Sequence, residues 1–454
     1  MDGPPEKPVQ LTHLREPVKH LRASDLAAVA QLATQATTGI TRLTEGVHQS
    51  VWGTLGVSGP SGAATPATTG GLTGLIYSAV RGITQLVGKG LDATFRQLQP
   101  LLDAADQQAT ETPEREAVLA ALNGVLGDHL RATQNPLATP MSLRHQGRAI
   151  TTEAATAVPW PGHPAGGTTG ITGKIVLLVH GLCMNDLQWS TPALPANLTS
   201  PPSHVPDHNH GTALAESLGY TPVYARYNSG LHISDNGQEL ARQLDVLVAG
   251  WPVPVTELCV VAHSMGGLVM RSAVQAADNQ HLAWRKHLKS IVFLGTPHHG
   301  APLERAGNWV DVILGSTPYS RPFAKLGQLR SAGITDLRYG HVMQADWQGH
   351  DRFRKRPDSR LHVPLPAGVA CYTLAATLAD KWAPKSGAIT DNLLGDGLVP
   401  LPSALGHHAQ VGRRLVLPET SRRVLYATHH MALLSSPVVT QQLIAWLGAE
   451  TPAA

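Results

Sequence analysis

Aromatic side chains are scarce in this chain. Phe, Trp and Tyr make up 5% of its 454 residues. No basic run is interleaved with them, and the formal net charge is only +3, so no nucleic-acid partner is expected. Cysteine is rarer still. Cys183, Cys259 and Cys371 lie in apolar stretches without paired spacing, which argues against a disulfide framework and leaves three small core residues. Long apolar runs are missing as well. No window of roughly 18 residues is apolar and uncharged enough to span a bilayer. The opening MDGPPEKPVQ lacks the basic-then-apolar layout of a secretory signal. A cytoplasmic protein is expected, with peripheral attachment to a membrane surface left open.

What is abundant is apolar aliphatic surface and turn residues. Hydrophobic residues reach 42% against 15% charged, with 44 Gly and 34 Pro. That composition supports a sizeable core cut by many turns, in one large domain plus a smaller one. Residues 1–20, polar and Pro-bearing, read as a flexible arm. Residues 21–150 read as a helical N-terminal region. Leu26, Val29, Leu32, Ala36, Ile40, Leu43, Val47 and Val51 recur at helical spacing, and after a Gly/Ser/Thr/Pro linker at 56–71 a second such pattern runs from Leu72 to Leu102. GITRL (39–43) and GITQL (82–86) suggest an internal repeat of this unit. Glu114–Leu130 gives a third helix, and Pro136 and Pro140 break the chain after it. The region is either a cap on a catalytic domain or a surface-binding module. Its in-helix glycines, each costing roughly 1 kcal/mol relative to Ala, favour the packed cap.

From Lys174 the pattern changes. Strand-like runs at 174–180, 222–227, 258–263, 291–297 and 370–376 alternate with helical stretches at Thr212–Leu218, Gly237–Ala249 and Leu268–Ala277. Such alternation predicts an α/β domain over 151–454, with a mostly parallel sheet and helices on both faces. In such sheets ligands sit beyond the carboxyl ends of the strands.

VVAHSMGGLVMRSA (260–273) falls at one of these ends. An apolar strand passes through Ser264-Met265-Gly266 into a helix, so the turn is sharp and the serine stands at its tip. This is the G-x-S-x-G elbow with Ala262 in the first glycine's place. A serine at its free pKa is a weak nucleophile and needs a base, a carboxylate to orient the base, and donors for an oxyanion. The Met265 N–H is the local donor. The loop in LLVHGLCMN (177–185) supplies a second at Leu182. In chain order after the serine, Asp396 in LLGDGLVP is the best carboxylate, ahead of Asp380 and Asp391. The pair His429-His430 supplies the base, and adjacent side chains diverge, so only one of them reaches Ser264.

VHGL (179–182), AHSMGG (262–267), GTPHHG (295–300) and GDGLVP (395–400) together resemble the lipase/esterase group of α/β-hydrolases, including bacterial triacylglycerol lipases and the hydrolase domain of GPI inositol-deacylases. The resemblance spans 174–448. It implies an α/β-hydrolase fold, His430 rather than His429 as the base, Leu182 as an oxyanion donor, and a lid near 301–349. It also implies a serine hydrolase of acyl esters or lipids that needs no cofactor and no metal. Asn228, His232, Thr296 and His298 are further substrate-pocket candidates at strand ends. GTPHHG could equally be a loop bonded to its own backbone. His204, Asp207, His208 and His210 have ligand chemistry, but their spacing fits no standard metal site and a solvated loop is expected. A thioesterase or acyltransferase would use the same triad. A non-catalytic membrane- or granule-binding scaffold is the reading from another class.

Overall fold

The computed structural model describes residues 111, 113–150, 170–190, 208–301, 331–350, 358–380 and 395–449. The helical patterns expected over 24–102, most of the lid (302–330), and Asp391 lie outside them. The chain divides into two units, Met1–Leu119 with Leu130–Leu137, and Ala120–His129 with Ala138–Ala454. In the first, the described residues are the ends of helix α1 (Pro113–Ala132) and a turn in which Asn135 N–H donates to Leu130 O at 2.9 Å.

The second unit is built on an eight-stranded sheet in the order β2-β1-β4-β3-β5-β6-β7-β8. The strands are β1 (Ser142–His145), β2 (Arg148–Ala149), β3 (Lys174–Val179), β4 (Thr221–Arg226), β5 (Glu257–His263), β6 (Leu288–Leu294), β7 (Ala370–Ala376) and β8 (Arg422–Leu425). β1 runs antiparallel to β2 and β4, and every other pairing is parallel. The helices are α2 (His210–Leu218), α3 (Ile233–Ala249), α4 (Met265–Gln280), α5 (Ala332–Tyr339), the short α6 (Leu401–Ala404) and α7 (Pro437–Leu447). This is an α/β-hydrolase arrangement.

The central strands read as unbroken apolar runs because both faces are covered. Val176, Leu178, Cys259, Val261, Val292, Leu294, Leu374 and Ala376 form one core with Leu214 of α2 and Val439, Leu443 and Trp446 of α7. The alternate residues, such as Ile175, Leu177, Val260, Ala262 and Phe293, point to the opposite face by strand periodicity and are equally buried. α3 and α4 pack against each other there. All three cysteines are buried and unbonded to one another.

Two boundaries differ from expectation. The sheet does not begin after residue 151, because β1 and β2 at 142–149 already belong to it. The middle of α1 is also part of this unit. A Cβ on Gly124 would come within 2.2 Å of Cys183 Sγ, and Asn228 Nδ2 donates to Gly127 O at 2.9 Å. β6 spans 288–294 rather than 291–297. The Gly295 backbone, at φ +57°, turns the chain away and its N–H bonds to Leu374 O at 2.9 Å.

The start of α4 approaches the sheet closely. A Cβ on Gly266 would lie 2.5 Å from the carbonyl oxygens of both Val179 and His180, at the end of β3. Those atoms are backbone and cannot swing aside. Gly266→Ala should therefore destabilise the fold by about 1–3 kcal/mol or more through overpacking. Urea unfolding checks this, and an unchanged midpoint would contradict the close approach.

Candidate active site

Ser264 joins β5 to α4 and adopts φ 55°, ψ −126°, a conformation that side chains rarely take and that costs roughly 1–3 kcal/mol. Two hydrogen bonds hold it there. Its N–H donates to Leu294 O at 2.8 Å, and its carbonyl accepts from Gly267 N–H at 3.1 Å. The hydroxyl is buried, with no hydrogen-bond partner among the described residues. The chain therefore spends backbone strain to hold a hydroxyl that does nothing for the fold.

Asp396 sits in a turn between two glycines in the left-handed region, Gly395 at φ 54° and Gly397 at φ 93°. A Cβ on Gly395 would come within 1.7 Å of Val399 O, so the turn admits no side chain there. Its Oδ1 accepts the N–H groups of Leu398 and Val399 at 3.1 and 2.8 Å, and its Oδ2 meets His430 Nδ1 at 2.6 Å. The His430 N–H also donates to Asp396 O at 3.1 Å. A carboxylate oxygen accepts, so this contact places an N–H on Nδ1 and leaves Nε2 as the other ring nitrogen. Both side chains are fully enclosed.

The expected rivals are elsewhere. Asp380 is solvent-exposed. The His429 side chain caps the following turn by accepting from Ala432 N–H at 3.3 Å. His430 lies close to the residue before the serine, and neither its Nε2 nor Ser264 Oγ has a hydrogen-bond partner among the described residues. Its ring lies 4.6 Å from that of His263, the residue before the serine, and a Cβ on Gly295 would stand 3.1 Å from its Cε1 and Nδ1. His263, whose Nε2 lies 3.3 Å from His430 O, was not singled out from the sequence. Its place before the serine was the available signal.

The loop after β3 runs alongside. A Cβ on Gly181 would touch Ser264 Cβ at 3.0 Å, which puts Leu182 one residue beyond this contact. Cys183 at φ 57° then turns the chain, its N–H bound to Ser229 Oγ at 2.9 Å. Met265 N–H is the first amide of α4, one of those a helix leaves without an internal acceptor. His180 supports this loop. It accepts from Tyr227 N–H at Nε2, faces Gly181 O through Nδ1 at 2.8 Å, and stacks on Tyr227 at 4.2 Å.

Two expected pocket residues are engaged otherwise. The amide of Asn228 is taken by Gly127 O and Gly230 N–H, closing the turn after β4. His232 bonds to buried Asp336 at 2.9 Å and stacks on Trp347 at 3.6 Å. Both do structural tasks, and the polar character that nominated them serves the fold. Asp336 also takes His341 at 3.0 Å. Burial alone would raise its pKa, but the two histidines hold it below the usual carboxylate range. Thr296 and His298 are buried, with Thr296 Oγ1 and both His298 ring nitrogens lacking partners among the described residues. The rest of GTPHHG is bonded locally, His299 N–H to Ser403 Oγ at 3.1 Å and Ser403 Oγ–H to Gly300 O at 2.8 Å. No group of His, Cys, Asp and Glu among the described residues could hold a metal ion. His208 and His210 instead converge on the Thr440 hydroxyl. Nor is any described helix long and apolar enough to cross a membrane.

A family model described as a domain of unknown function, DUF7379, matches residues 204–336. A search of the curated proteins finds no match. Among solved structures, the mature lipase BlEst2 of Bacillus licheniformis is similar at 19% identity, covering 60% of this chain and 91% of its own, with a TM-score of 0.36. Lipase B of Aspergillus fumigatus is similar at 14% identity, covering 68% and 64%, with a TM-score of 0.35. The Pyrococcus furiosus esterase Pf2001 is similar at 13% identity, covering 62% and 80%, with a TM-score of 0.33. At such scores the likeness carries no argument, and the fold rests on the strand order given above.

The buried imidazoles around the site set its acid limit. Burial lowers the pKa of His180 and of His210 to about 4, and holds His263 and His298 well below their ordinary value. In the unfolded chain these groups titrate near pH 6.5. Between about pH 6.5 and 4 the unfolded state binds protons that the folded state does not, so stability must fall as the pH falls through that window. Each histidine adds a slope of up to about 1.4 kcal/mol per pH unit. Urea unfolding across this range should show the loss, and His210→Gln should make the dependence shallower. A stability that stays level on acidification through the window contradicts neutral burial.

Proposed function

We propose that this chain is a serine hydrolase of carboxylic esters. The observation that supports the reading is the enclosed Asp396–His430 pair together with a strained, unpartnered Ser264. Ser264 Oγ attacks the acyl carbon while His430 Nε2 takes its proton. Asp396 keeps the ring in the Nδ1–H tautomer and stabilises the imidazolium that forms. The N–H groups of Leu182 and Met265 hold the oxyanion. His430 then protonates the leaving alcohol, and the Ser264 acyl-enzyme remains. Water, deprotonated by His430, attacks that ester, and the carboxylic acid leaves as Ser264 regains its proton. No step requires a cofactor. An acyl ester or lipid is the substrate class in keeping with this chemistry.

The test is active-site labelling by a fluorophosphonate, with turnover of p-nitrophenyl esters of rising acyl length and of a matched thioester. The wild-type chain should be labelled and Ser264→Ala should not. Ser264→Ala and His430→Ala should each lower kcat by roughly five to six orders of magnitude. Asp396→Asn should lower it by about four. His429→Ala should stay near wild type. Labelling that persists in Ser264→Ala would put the nucleophile elsewhere. A folded wild-type chain that neither labels nor turns over any ester would favour the non-catalytic scaffold, and preference for the thioester would favour thioesterase chemistry.

A further inference from the structure

One buried cation near the site has no ion-pair partner among the described residues. Arg271 lies on α4, four residues after Gly267, and so on the same helix face. At Gly267 that face meets Thr296 so closely that a Cβ would come within 2.1 Å of the threonine Oγ1. Arg271 is itself buried. Its Nη2 donates to Val363 O at 2.5 Å, while Nε and Nη1 have no partner among the described residues. A guanidinium does not deprotonate in proteins, so the charge stays. The loop after β6 brings two more unpartnered groups alongside. His298 N–H bonds to Thr296 O at 2.9 Å, and the His298 ring stands edge-on to Phe293 at 4.8 Å. Thr296 Oγ1 and both ring nitrogens of His298 are enclosed and unsatisfied.

We propose that Arg271, His298 and Thr296 form an enclosed binding site for one small anion, separate from the Ser264–His430–Asp396 constellation. The remaining groups nearby add positive charge or are occupied. Arg360 is tied to Asp358 and to Gly340 O. His299 faces Gly406 O at 3.1 Å. The Asp346 carboxylate favours the Arg271 charge through space, but its hydrogen bonds go to the N–H groups of Val342, Met343 and Leu361. Cys371 is a buried thiol whose pKa burial raises to about 12, so it carries no charge at neutral pH. A buried charge is tolerated only when paired, and the unpartnered groups here are chiefly donors. A water would satisfy some donors and leave the charge. A cation would be repelled by Arg271. A halide or a small carboxylate answers both needs.

The test uses the full chain and its thermal midpoint at fixed ionic strength in sodium chloride, bromide, acetate or gluconate. The wild-type midpoint should rise saturably with chloride, bromide or acetate and not with gluconate, which is too bulky for an enclosed site. A rise with acetate alone identifies a carboxylate as the occupant, and a rise with the halides identifies a halide. Arg271→Lys, which keeps the charge but loses donors, should need about tenfold more anion to saturate. Arg271→Met should lose the dependence. In case neither variant folds, wild-type crystals soaked in bromide or acetate should show an anomalous or difference peak beside Arg271. A flat wild-type midpoint in all four salts with no such peak overturns the site. So does an unaltered salt response in a folded Arg271→Met. Ester turnover is not a readout of this site, so its failure is distinct from failure of the hydrolase reading.

Discussion

Everything at the centre of this protein depends on how closely α4 approaches the ends of β3 and β6. Gly266 lies against the Val179 and His180 carbonyls, and Gly267 lies against Thr296. A side chain at either position would push the helix off the sheet. With the helix pressed down, the turn that feeds it has no slack, and residue 264 must take positive φ. The strain at Ser264 is thus a consequence of packing. The bonds to Leu294 O and from Gly267 N–H keep it from relaxing. Glycine at 264 would relieve the strain, so the hydroxyl is kept there at a cost in backbone energy.

The same compactness sets the electrostatics. Few charged groups enter this region, and those that do are met at once. Asp396 has three donors on its two oxygens, two backbone and one from His430. The histidines around it stay neutral because burial penalises the imidazolium, and in His263 the neighbouring His430 adds to that penalty. Arg271 is the exception to the pattern, a charge whose partner does not come from the described residues.

The central architecture was legible in the sequence for a physical reason. Strands covered on both faces must be apolar throughout, and 174–180, 258–263 and 370–376 advertise this directly. The edges were not legible. β1 and β2 are SLRH and RA, and β8 is RRVL at the border of the sheet, with polar residues that no periodicity distinguishes from loop. β6 was displaced by three residues because LGTP continues the apolar signal past the point where Gly295 turns. The boundary at 151 failed for a related reason. The middle of α1 looks like any helix in sequence, and only the close approach of Gly124 and Gly127 ties it to the unit that holds the sheet.

Site residues divide along a similar line. Ser264, Asp396 and His430 could be nominated because each belongs to a local motif whose backbone geometry can be read from glycines and chain order. Asn228 and His232 were nominated by position alone, and position after a strand does not tell a pocket residue from a turn-closing one. The distinction lies in where the hydrogen bonds go. Asn228 uses both ends of its amide on Gly127 and Gly230, and His232 uses Nδ1 on Asp336 and its ring face on Trp347. A polar group engaged by the fold has less capacity left for a ligand, whereas one enclosed and unsatisfied has a capacity the fold does not use. By that criterion the groups facing Arg271, which sequence position placed no higher than Asn228 and His232, are the ones that remain available.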